Sequence, residues 1–430
     1  MKLFKRAIAL ALPVALVAGV IAPQAKAADS VELTWLIDNS ETSALAAKAL
    51  ADAFTKANPT ITIKISTRPG GAEGDNLVKT KLATGSMEDL FWYNSGSLFQ
   101  ALNPSKNLLD LTNDSYMKNV LSSYFPVVSA GGKQYGVPLG TAMGGGILYN
   151  KKIYASLKLK VPTTWKEFMA NNAKIKKAGK VAVIQSYKDT WTSQLFVLAD
   201  FYNVLAKDPK WADNYTKNKA KYATTPAAAA GFAHLEDVFK GGYTNRDYQA
   251  TTFPQALAKL AAGEGAHYPM LTFAVATIAA IAPDKIDDIG FFAQPGDNPK
   301  NVGLTVWTPS GVYAPASTKH AAEVRKFLAF LVSPKSVDVQ NGIDGFAGGP
   351  YYIKNANIPN ALPAAIKDQL VYFQSNKTAP ALEFLSPIKG PNLEKITVEV
   401  GSGITSAKKG AAAYDADVVK QAKQLGLSGW

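Results

Sequence analysis

Two hydrophobic periods alternate along the N-terminal third of the chain. Every second residue is apolar in segments 31–37 and 61–65, and this period of two predicts β-strands. Between them, apolar residues of segment 46–57 recur at helical spacing. Asn58-Pro59 ends that helix, because a residue before proline avoids the helical region. The pattern therefore predicts a strand, a helix and a second strand.

The same alternation continues through the next segment. Segment 77–82 predicts a short helix closed by Gly85, and the run Asp-Leu-Phe-Trp-Tyr at 89–93 predicts a buried strand. Strands that alternate with helices indicate βαβ units, in which a parallel sheet is covered on both faces. The pattern therefore predicts the α/β fold class. Ligands of such sheets bind at the carboxyl ends of the strands, here in loops 38–41 and 94–96.

The centre and the C-terminal part contain further helix signals. Thr164-Trp165-Lys166-Glu167 is a capping box, in which Thr164 and Glu167 satisfy each other's backbone donors at a helix start. Apolar residues in segment 324–331 recur at helical spacing, and Ser333-Pro334 ends that helix. We find no repeat of 20–50 residues.

Residues 1–27 have the pattern of a cleaved secretory signal peptide. Lys2, Lys5 and Arg6 precede an apolar stretch at 7–22, and Ala-Lys-Ala at 25–27 provides the small residues of a cleavage site. The stretch is shorter than the ~20 apolar residues that a membrane span requires. We therefore expect export, and a mature protein in the periplasm or outside the cell.

The composition excludes several kinds of chemistry. Cysteine is absent, which excludes disulfides, thiolate metal sites, a cysteine nucleophile and a lipid-modified cysteine. The three histidines, His234, His267 and His320, are far apart in sequence, so no HExxH-like motif exists. We predict neither a metal site nor a cofactor.

The net charge stays positive after removal of the signal peptide. Its four basic residues and no acidic residue are lost, so the formal charge falls from +13 to +9. The basic residues are scattered, without a run of five or more, and this argues against nucleic-acid binding. We expect the charge to aid solubility or to attract the protein to anionic membrane or wall surfaces.

Several landmarks follow one another in a characteristic order. They are the strand, loop and helix of 33–54 with its ending Phe54-Thr55-Lys56-Ala57-Asn58-Pro59, the run 89–96, Tyr135-Gly136-Val137-Pro138, Leu148-Tyr149-Asn150-Lys151, Pro162-Thr163-Thr164-Trp165, Gly263-Glu264-Gly265-Ala266 with the following Phe273, and the helix 321–334. Together they resemble the extracellular solute-binding proteins of bacterial ABC importers, in the sugar-binding group that includes maltose-binding protein.

This resemblance implies a two-lobe periplasmic-binding-protein fold of type II-like topology. Each lobe would be a central sheet flanked by helices, and hinge crossings would join the lobes around a ligand cleft. The implied first lobe comprises residues 28–142 and 272–317, and the second comprises 143–271 and 318–430. Crossings are expected near 138–146, 266–271 and 314–319. The glycine run 144–146 suits a hinge or a tight turn.

A sugar site combines flat aromatic surfaces with groups that hydrogen-bond hydroxyls. By this resemblance, Met143 stands where relatives can carry an acidic residue, and Phe273 replaces a tryptophan of many relatives. Each aromatic ring could contact a ligand or pack in the core, and for Phe91 and Trp92 we predict the core. The candidate ligand-binding residues are Asp38, Asn39, Glu41, Tyr93, Asn94, Ser95, Met143, Trp191, Phe273, Trp307 and Phe346.

The predicted function is that of a non-enzymatic, monomeric binding protein that delivers a carbohydrate to the permease subunits of an ABC transporter. Trp191 in the second lobe and Trp307 in the first would hold a sugar ring between them on closure, while Asp38 and Asn94 bind its hydroxyls. Two alternatives stay open: another small solute, such as a polyamine or phosphate ester, and a secreted glycosidase. The latter needs two carboxylates about 5–9.5 Å apart.

Overall fold

The computed structural model describes residues 30–343, 346 and 348–430, so the predicted signal peptide lies outside the described residues. The described chain forms two α/β lobes, each built on a central sheet with flanking helices, and the predicted fold class is confirmed.

The strands of the described residues are β1 (Val31–Asp38), β2 (Ile61–Arg68), β3 (Leu90–Tyr93), β4 (Ser129–Ala130), β5 (Lys133–Gln134), β6 (Gly136–Pro138), β7 (Met143–Asn150), β8 (Val181–Val183), β9 (Gly265–Leu271), β10 (Ile289–Ala293), β11 (Leu304–Trp307), β12 (Gly311–Tyr313) and β13 (Thr378–Pro380). The helices are α1 (Glu41–Ala57), α2 (Gly71–Thr84), α3 (Ser97–Gln100), α4 (Pro104–Asn107), α5 (Lys151–Ser156), α6 (Trp165–Lys177), α7 (Leu195–Leu198), α8 (Phe201–Lys207), α9 (Trp211–Thr216), α10 (Pro226–Lys240), α11 (Phe253–Ala262), α12 (Ala274–Ile281), α13 (Ala321–Leu331), α14 (Pro334–Asn341), α15 (Ala364–Gln374), α16 (Leu382–Leu385), α17 (Leu393–Gly401) and α18 (Ala407–Gln424).

The first sheet has the order β2-β1-β3-β12-β6. Strand β1 is parallel to β2 and to β3, as the alternating pattern predicted, whereas β12 is antiparallel to β3 and β6. Helices α1 and α13 cover one face of this sheet. The ring of Phe327 lies 5.2 Å from that of Trp35 and 5.0 Å from that of Phe54.

The second sheet has the order β13-β11-β7-β9-β8, and β10 also pairs with β7. Strand β7 is its centre and runs antiparallel to β9, β10 and β11. This pairing corrects the predicted division of the chain. Segment 272–307 contributes β10 and β11 to the second sheet and not to the first, while α13 packs on the first sheet. Among the described residues, the first lobe therefore comprises 30–142 and those of 308–358, and the second comprises 143–307 and 359–430.

The crossings differ accordingly from the predicted ones. The chain passes between the sheets at 139–142, inside the first predicted crossing. The second predicted crossing, 266–271, is wrong because these residues form β9, which pairs with β7 and β8. The chain returns at 308–310, just before β12 and not at 314–319. It passes to the second lobe again near residue 359.

The glycine run 144–146 lies inside β7, so it forms part of a strand and not a hinge. A β-carbon on Gly145 would lie 2.3 Å from the Trp307 ring, and one on Gly146 would lie 2.4 Å from the Phe292 carbonyl oxygen. Close packing therefore requires these glycines. In the crossing itself, Gly140 has φ 95°, a conformation that favours glycine.

Two of the three histidines are buried in the second lobe. The His234 ring stacks on Trp165 at 3.8 Å, and Nε2 of His267 lies 2.7 Å from the Tyr154 hydroxyl. Burial lowers the pKa of each imidazole to about 3. The described residues contain no group of three or more metal-ligating side chains, and no helix among them is long and apolar enough to span a membrane.

Hydrogen bonds of one buried amide connect the start of β7 with segment 348–349. Gln369 of α15 is fully buried, and its Oε1 accepts the Gly144 N–H and the Thr272 hydroxyl, while its Nε2 donates to the Gly348 carbonyl. The Thr141 hydroxyl in turn accepts the Gly348 and Gly349 N–H groups at 3.1 Å. These bonds fix where the chain leaves and re-enters the second lobe.

Replacing Gln369→Leu should therefore destabilise the protein. The substitution keeps most of the volume but leaves the Gly348 carbonyl without its partner, and each orphaned buried group costs about 1–3 kcal/mol. We expect the free energy of unfolding in urea to fall by about 3 kcal/mol. Gln374→Leu, at an exposed position of the same helix, should change it by less than about 0.5 kcal/mol. Equal stabilities of the two variants would contradict this role of Gln369.

Candidate functional site

The two lobes meet at the carboxyl ends of β1, β2 and β3. At this boundary, here called the cleft, the Thr42 and Thr277 hydroxyl oxygens lie 2.8 Å apart across the lobes. A β-carbon on Gly70 of the first lobe would lie 3.5 Å from Nε1 of Trp191 of the second. Because parallel strands place their ends at one edge, the loops after β1, β2 and β3 all border the cleft.

Arg68 and Tyr93, the last residues of β2 and β3, provide buried polar groups at this edge. The Arg68 guanidinium donates to the Pro69 carbonyl at 3.0 Å and lies 5.2 Å from the centre of the Tyr93 ring. Neither Arg68 Nε nor the Tyr93 hydroxyl has a hydrogen-bond partner among the described residues, although both are buried. An unpartnered buried polar group costs about 1–3 kcal/mol, which a hydrogen-bonding ligand would relieve.

Asp75 of α2 lies beside this pair. Burial raises the pKa of its carboxyl group, and the nearby Tyr93 hydroxyl, followed by the charges of Arg68 and Lys389, acts in the opposite direction. The pKa of the Tyr93 phenol is also raised, first by burial and then by the nearby Asp75 carboxylate. The first lobe therefore presents an arginine, a carboxyl group and a neutral phenol to the cleft.

The second lobe presents an ion pair to the same region. Nζ of Lys389 lies 3.2 Å from Oε2 of Glu383, and both side chains are largely buried. Trp307 donates its indole N–H to the other oxygen of Glu383. Burial alone would lower the pKa of Lys389, but the Glu383 and Asp75 carboxylates outweigh it, so this pKa is raised and the lysine stays charged.

Glu394 of α17 reaches across the cleft to the start of α2. Its carboxylate accepts the Thr190 hydroxyl at 2.8 Å, and a β-carbon on Gly71 would lie 3.0 Å from its Oε2. Helix α2 has no side-chain cap of its own at Gly70. A carboxylate at a helix N-terminus is favourable because free N–H groups point towards it. Burial nonetheless raises the pKa of Glu394.

Three aromatic rings of the second lobe form a surface beside these groups. The Trp191 ring lies 5.2 Å from Phe253 and 6.1 Å from Phe273, and Trp191 and Phe273 are partly exposed. Because Trp191 faces Gly70, this surface borders the cleft. Flat apolar surfaces of this kind suit ligands with apolar faces.

The predicted residues after β1 lie at the same edge. The Asp38 carboxylate accepts the Ser40 N–H at 2.9 Å and the Ser43 hydroxyl at 2.6 Å, so it also orders the start of α1. Asn39 and Glu41 are exposed on either side of Ser40, which caps that helix. A contact of these three residues with ligand stays a prediction.

The predicted residues after β3 are divided between the cleft and the crossings. Asn94 is exposed, whereas the buried Ser95 donates to the Pro309 carbonyl at 3.0 Å and lies 3.0 Å from the Thr308 hydroxyl. Ser95 therefore holds the second crossing. The ring of Phe346 lies 6.4 Å from that of Trp92 and packs against the first-lobe core.

The predicted pairing of Trp307 with Trp191 across the two lobes is wrong. Trp307 ends β11 and pairs with Met143 of β7, so it belongs to the second lobe, as does Trp191. It is 7% exposed, and its ring covers Gly145. Two rings on one lobe cannot close on each other from opposite sides, although both can border the same cleft.

Sequence reasoning missed five charged residues of the cleft. A signal existed for Arg68, because it ends a predicted parallel strand and the strand-end rule applies to β2 as it does to β1 and β3. Nothing local identified the others, since they reach the cleft through long-range packing. The missed residues are Arg68, Asp75, Glu383, Lys389 and Glu394.

A cleft between two sheet-based lobes, bordered by buried polar groups and partly exposed rings, defines a two-lobe ligand-binding protein. The profile of the bacterial extracellular solute-binding proteins matches residues 38–338. The chain belongs to this family, and the predicted family is confirmed.

Individual relatives cover most of the chain. A multiple sugar-binding protein of Streptococcus mutans is 25% identical over 323 residues, which are 74% of this chain and 74% of that protein. A chitin oligosaccharide binding protein has a similar structure, with a TM-score of 0.77, 22% identity and coverage of 92% of this chain and 100% of that one. The solute-binding protein RafE, solved with raffinose, gives a TM-score of 0.75 at 20% identity over 92% and 100% of the two chains.

Trp191 and Trp211 provide a matched test of the cleft. Trp211 is fully buried, and its ring stacks on that of Tyr215 at 5.0 Å in the second-lobe core. Trp211→Ala should therefore cost about 3–5 kcal/mol of stability. Trp191→Ala should cost little stability and weaken solute binding by roughly 2–4 kcal/mol. Urea unfolding and calorimetric titration measure the two quantities. A Trp191→Ala variant that unfolds easily but binds normally would place this ring in the core and not in the site.

Proposed function

We propose that this protein is the extracellular substrate-binding component of an ABC importer, which captures a carbohydrate between its lobes and delivers it to membrane permease subunits. One observation carries the proposal. The unpartnered Arg68 Nε and Tyr93 hydroxyl lie in the first lobe, and the partly exposed rings of Trp191 and Phe273 lie on the second.

The chemistry of these groups suits a sugar. A sugar ring has hydroxyls that donate and accept hydrogen bonds, and a C–H face that packs on aromatic rings. Arg68 Nε donates to an oxygen, while Asp75 and the Tyr93 hydroxyl hydrogen-bond hydroxyl groups. The names of the relatives support this class of ligand, since they describe a multiple sugar-binding protein, a chitin oligosaccharide binding protein and a complex with raffinose.

The proposed role is binding without catalysis. A glycosidase needs one carboxylic acid and one carboxylate placed on either side of the bond to be cut. Here Glu383 is neutralised by Lys389 and accepts the Trp307 N–H, and Glu394 accepts the Thr190 hydroxyl at the start of α2. Both carboxylates are therefore engaged in holding the cleft together. Turnover of a bound oligosaccharide by the purified protein would overturn this part of the proposal.

A polyamine is the second candidate solute. Asp75, Glu383 and Glu394 give the cleft more acidic than basic side chains, and Trp191 offers a ring on which a cation can lie. Lys389 and Arg68 oppose this candidate, because a polycation would have to approach both. A ligand panel should therefore contain polyamines beside the carbohydrates.

We further propose an exported protein that acts as a monomer and binds no nucleic acid. The signal-peptide pattern at 1–27 supports export. The 430 residues contain no cysteine to which a thioether-linked lipid could be attached, so retention at the cell surface would depend on other contacts.

Tyr93→Phe tests the proposed function most sharply at a single atom. Purified protein is first screened by thermal shift against mono- and oligosaccharides and polyamines, where a ligand at 100 times its Kd should stabilise by roughly 2.7 kcal/mol. Tyr93→Phe removes a buried hydroxyl without a protein partner, so the free protein should be as stable as before or slightly more stable. Binding of the selected sugar should weaken by about 0.5–1.5 kcal/mol, the net value of one hydrogen bond.

Tyr215→Phe is the control for that substitution. Its hydroxyl is also buried without a partner among the described residues, but it lies in the second-lobe core beside Trp211. It should leave sugar affinity unchanged. Stabilisation by polyamines alone, or equal affinities of both variants, would contradict a sugar bound at Tyr93.

A further inference from the structure

The net charge of the protein is confined to one lobe. The first lobe, 30–142 and 308–358, carries 14 Lys and Arg against 13 Asp and Glu, a net charge of +1. The second lobe, 143–307 and 359–430, carries 28 against 19, a net charge of +9. The basic character seen in the composition is therefore a property of the second lobe.

Most of this excess comes from one segment of thirty residues. Residues 151–180 comprise α5, α6 and the loop that precedes β8. They carry nine lysines and a single acidic residue, Glu167. All nine lysines are exposed. Lys152 pairs with Asp288 at 2.6 Å, and Lys151, Lys176 and Lys180 donate to backbone carbonyls. The lysines whose side chains neither pair with a carboxylate nor donate to a carbonyl of the described residues are Lys158, Lys160, Lys166, Lys174 and Lys177, here called the lysine face.

The fold places these five lysines on the outer side of α6 and on the segment packed beside that helix. The capping box fixes the start of α6, and Trp165, Phe168 and Ile175 turn into the core, so Lys166, Lys174 and Lys177 lie on the outer side. Lys166 and Lys177 are eleven residues apart, about three helical turns, which places them on one stripe. Nδ2 of Asn171 in α6 donates to the Lys160 carbonyl at 2.9 Å, which holds the segment with Lys158 and Lys160 beside the helix.

The composition of the face indicates the kind of partner. Segment 151–180 contains lysine but no arginine, and lysine is a hydrated point charge without the planar fork that recognises individual phosphates. Val161, between Lys160 and Lys166, is 43% exposed, so an apolar side chain stands among the charges. Exposed lysines around a small apolar group suit the surface of an anionic bilayer better than a soluble polyanion.

We propose that the lysine face holds the second lobe against anionic phospholipid headgroups at the outer surface of the membrane. The nearly neutral first lobe then points away from the lipid, so attraction orients the molecule as well as retaining it. Each lysine near an anionic surface increases binding about fivefold. The proposal uses the extracellular location of the proposed function but does not depend on which solute the cleft binds.

The test is sedimentation of the mature protein with lipid vesicles. Vesicles containing phosphatidylglycerol should bind the protein, and vesicles of phosphatidylcholine alone should not. Binding should be lost when the salt concentration rises from about 0.01 M to about 1 M, because the screening length falls from about 30 Å to about 3 Å. Binding to both kinds of vesicle, or binding that resists salt, would overturn the electrostatic account.

Two variants with equal charge separate the lysine face from net charge. In the first, Lys158, Lys160, Lys166, Lys174 and Lys177 are each replaced by Gln. In the second, the exposed second-lobe lysines Lys395, Lys408, Lys409, Lys420 and Lys423 are replaced in the same way. The first variant should lose vesicle binding at least tenfold, and the second should change it by less than about threefold.

Equal loss in both variants would show that only net charge matters and would overturn the proposal. The same holds if wild-type protein binds inorganic polyphosphate through the lysine face but does not bind the vesicles. Sugar affinity and melting temperature, measured on both variants, should equal those of the wild type. Loss of sugar affinity with unchanged vesicle binding would count against the proposed function and not against the lysine face.

Discussion

The geometry of the cleft depends on hydrogen bonds that a few buried side chains make to the crossings between the lobes. The Gln369 amide bonds Gly144 at the start of β7, just after the first crossing, and Gly348 in the segment that leads to the third, and the Thr141 hydroxyl of the first crossing accepts from Gly348 and Gly349. Ser95 holds the second crossing through Pro309. Because a buried backbone group without a partner is costly, these bonds restrict the paths on which the chain passes between the sheets. The lobes are therefore placed so that the strand ends of the first sheet face Trp191 and Glu394 of the second lobe.

Neither lobe contains the whole candidate site. The first lobe contributes Arg68, Asp75 and Tyr93, and the second contributes aromatic rings together with Glu383, Lys389 and Glu394. A ligand that touches both sets binds the closed arrangement more tightly than the open one, and this difference in affinity is what drives closure. The raised pKa values of Asp75 and Glu394 have the same origin, since burial at the meeting of the lobes disfavours their charged forms.

The sequence was most informative where structure is local. The alternation that predicted the first three strands and the first two helices is confirmed from β1 to β3, as is the capping box of Thr164 and Glu167. The points at which the chain returns to each lobe were predicted wrongly. Strands β10 and β11 pair with β7, and every paired residue of β7 lies more than 130 positions earlier in the chain, so no local pattern shows the pairing. The glycine run was misread for a related reason: the Trp307 ring and the Phe292 carbonyl that require it arrive from distant segments. Charged cleft residues such as Lys389 and Glu394 carry no local signal of their position. The strand-end rule predicted where the site lies but not most of the side chains that form it.

Closure of the two lobes around a solute is the central claim, and a disulfide across the cleft tests it directly. The Thr42 and Thr277 hydroxyl oxygens are 2.8 Å apart on opposite lobes, and the chain has no cysteine that would compete. In a Thr42→Cys/Thr277→Cys variant, a disulfide forms only when the two α-carbons approach to within about 7 Å. The account predicts that the sugar selected by the ligand screen accelerates formation of this disulfide under mild oxidation. A sugar that the protein does not bind should have no effect. A disulfide that forms at the same rate with and without ligand would contradict ligand-driven closure.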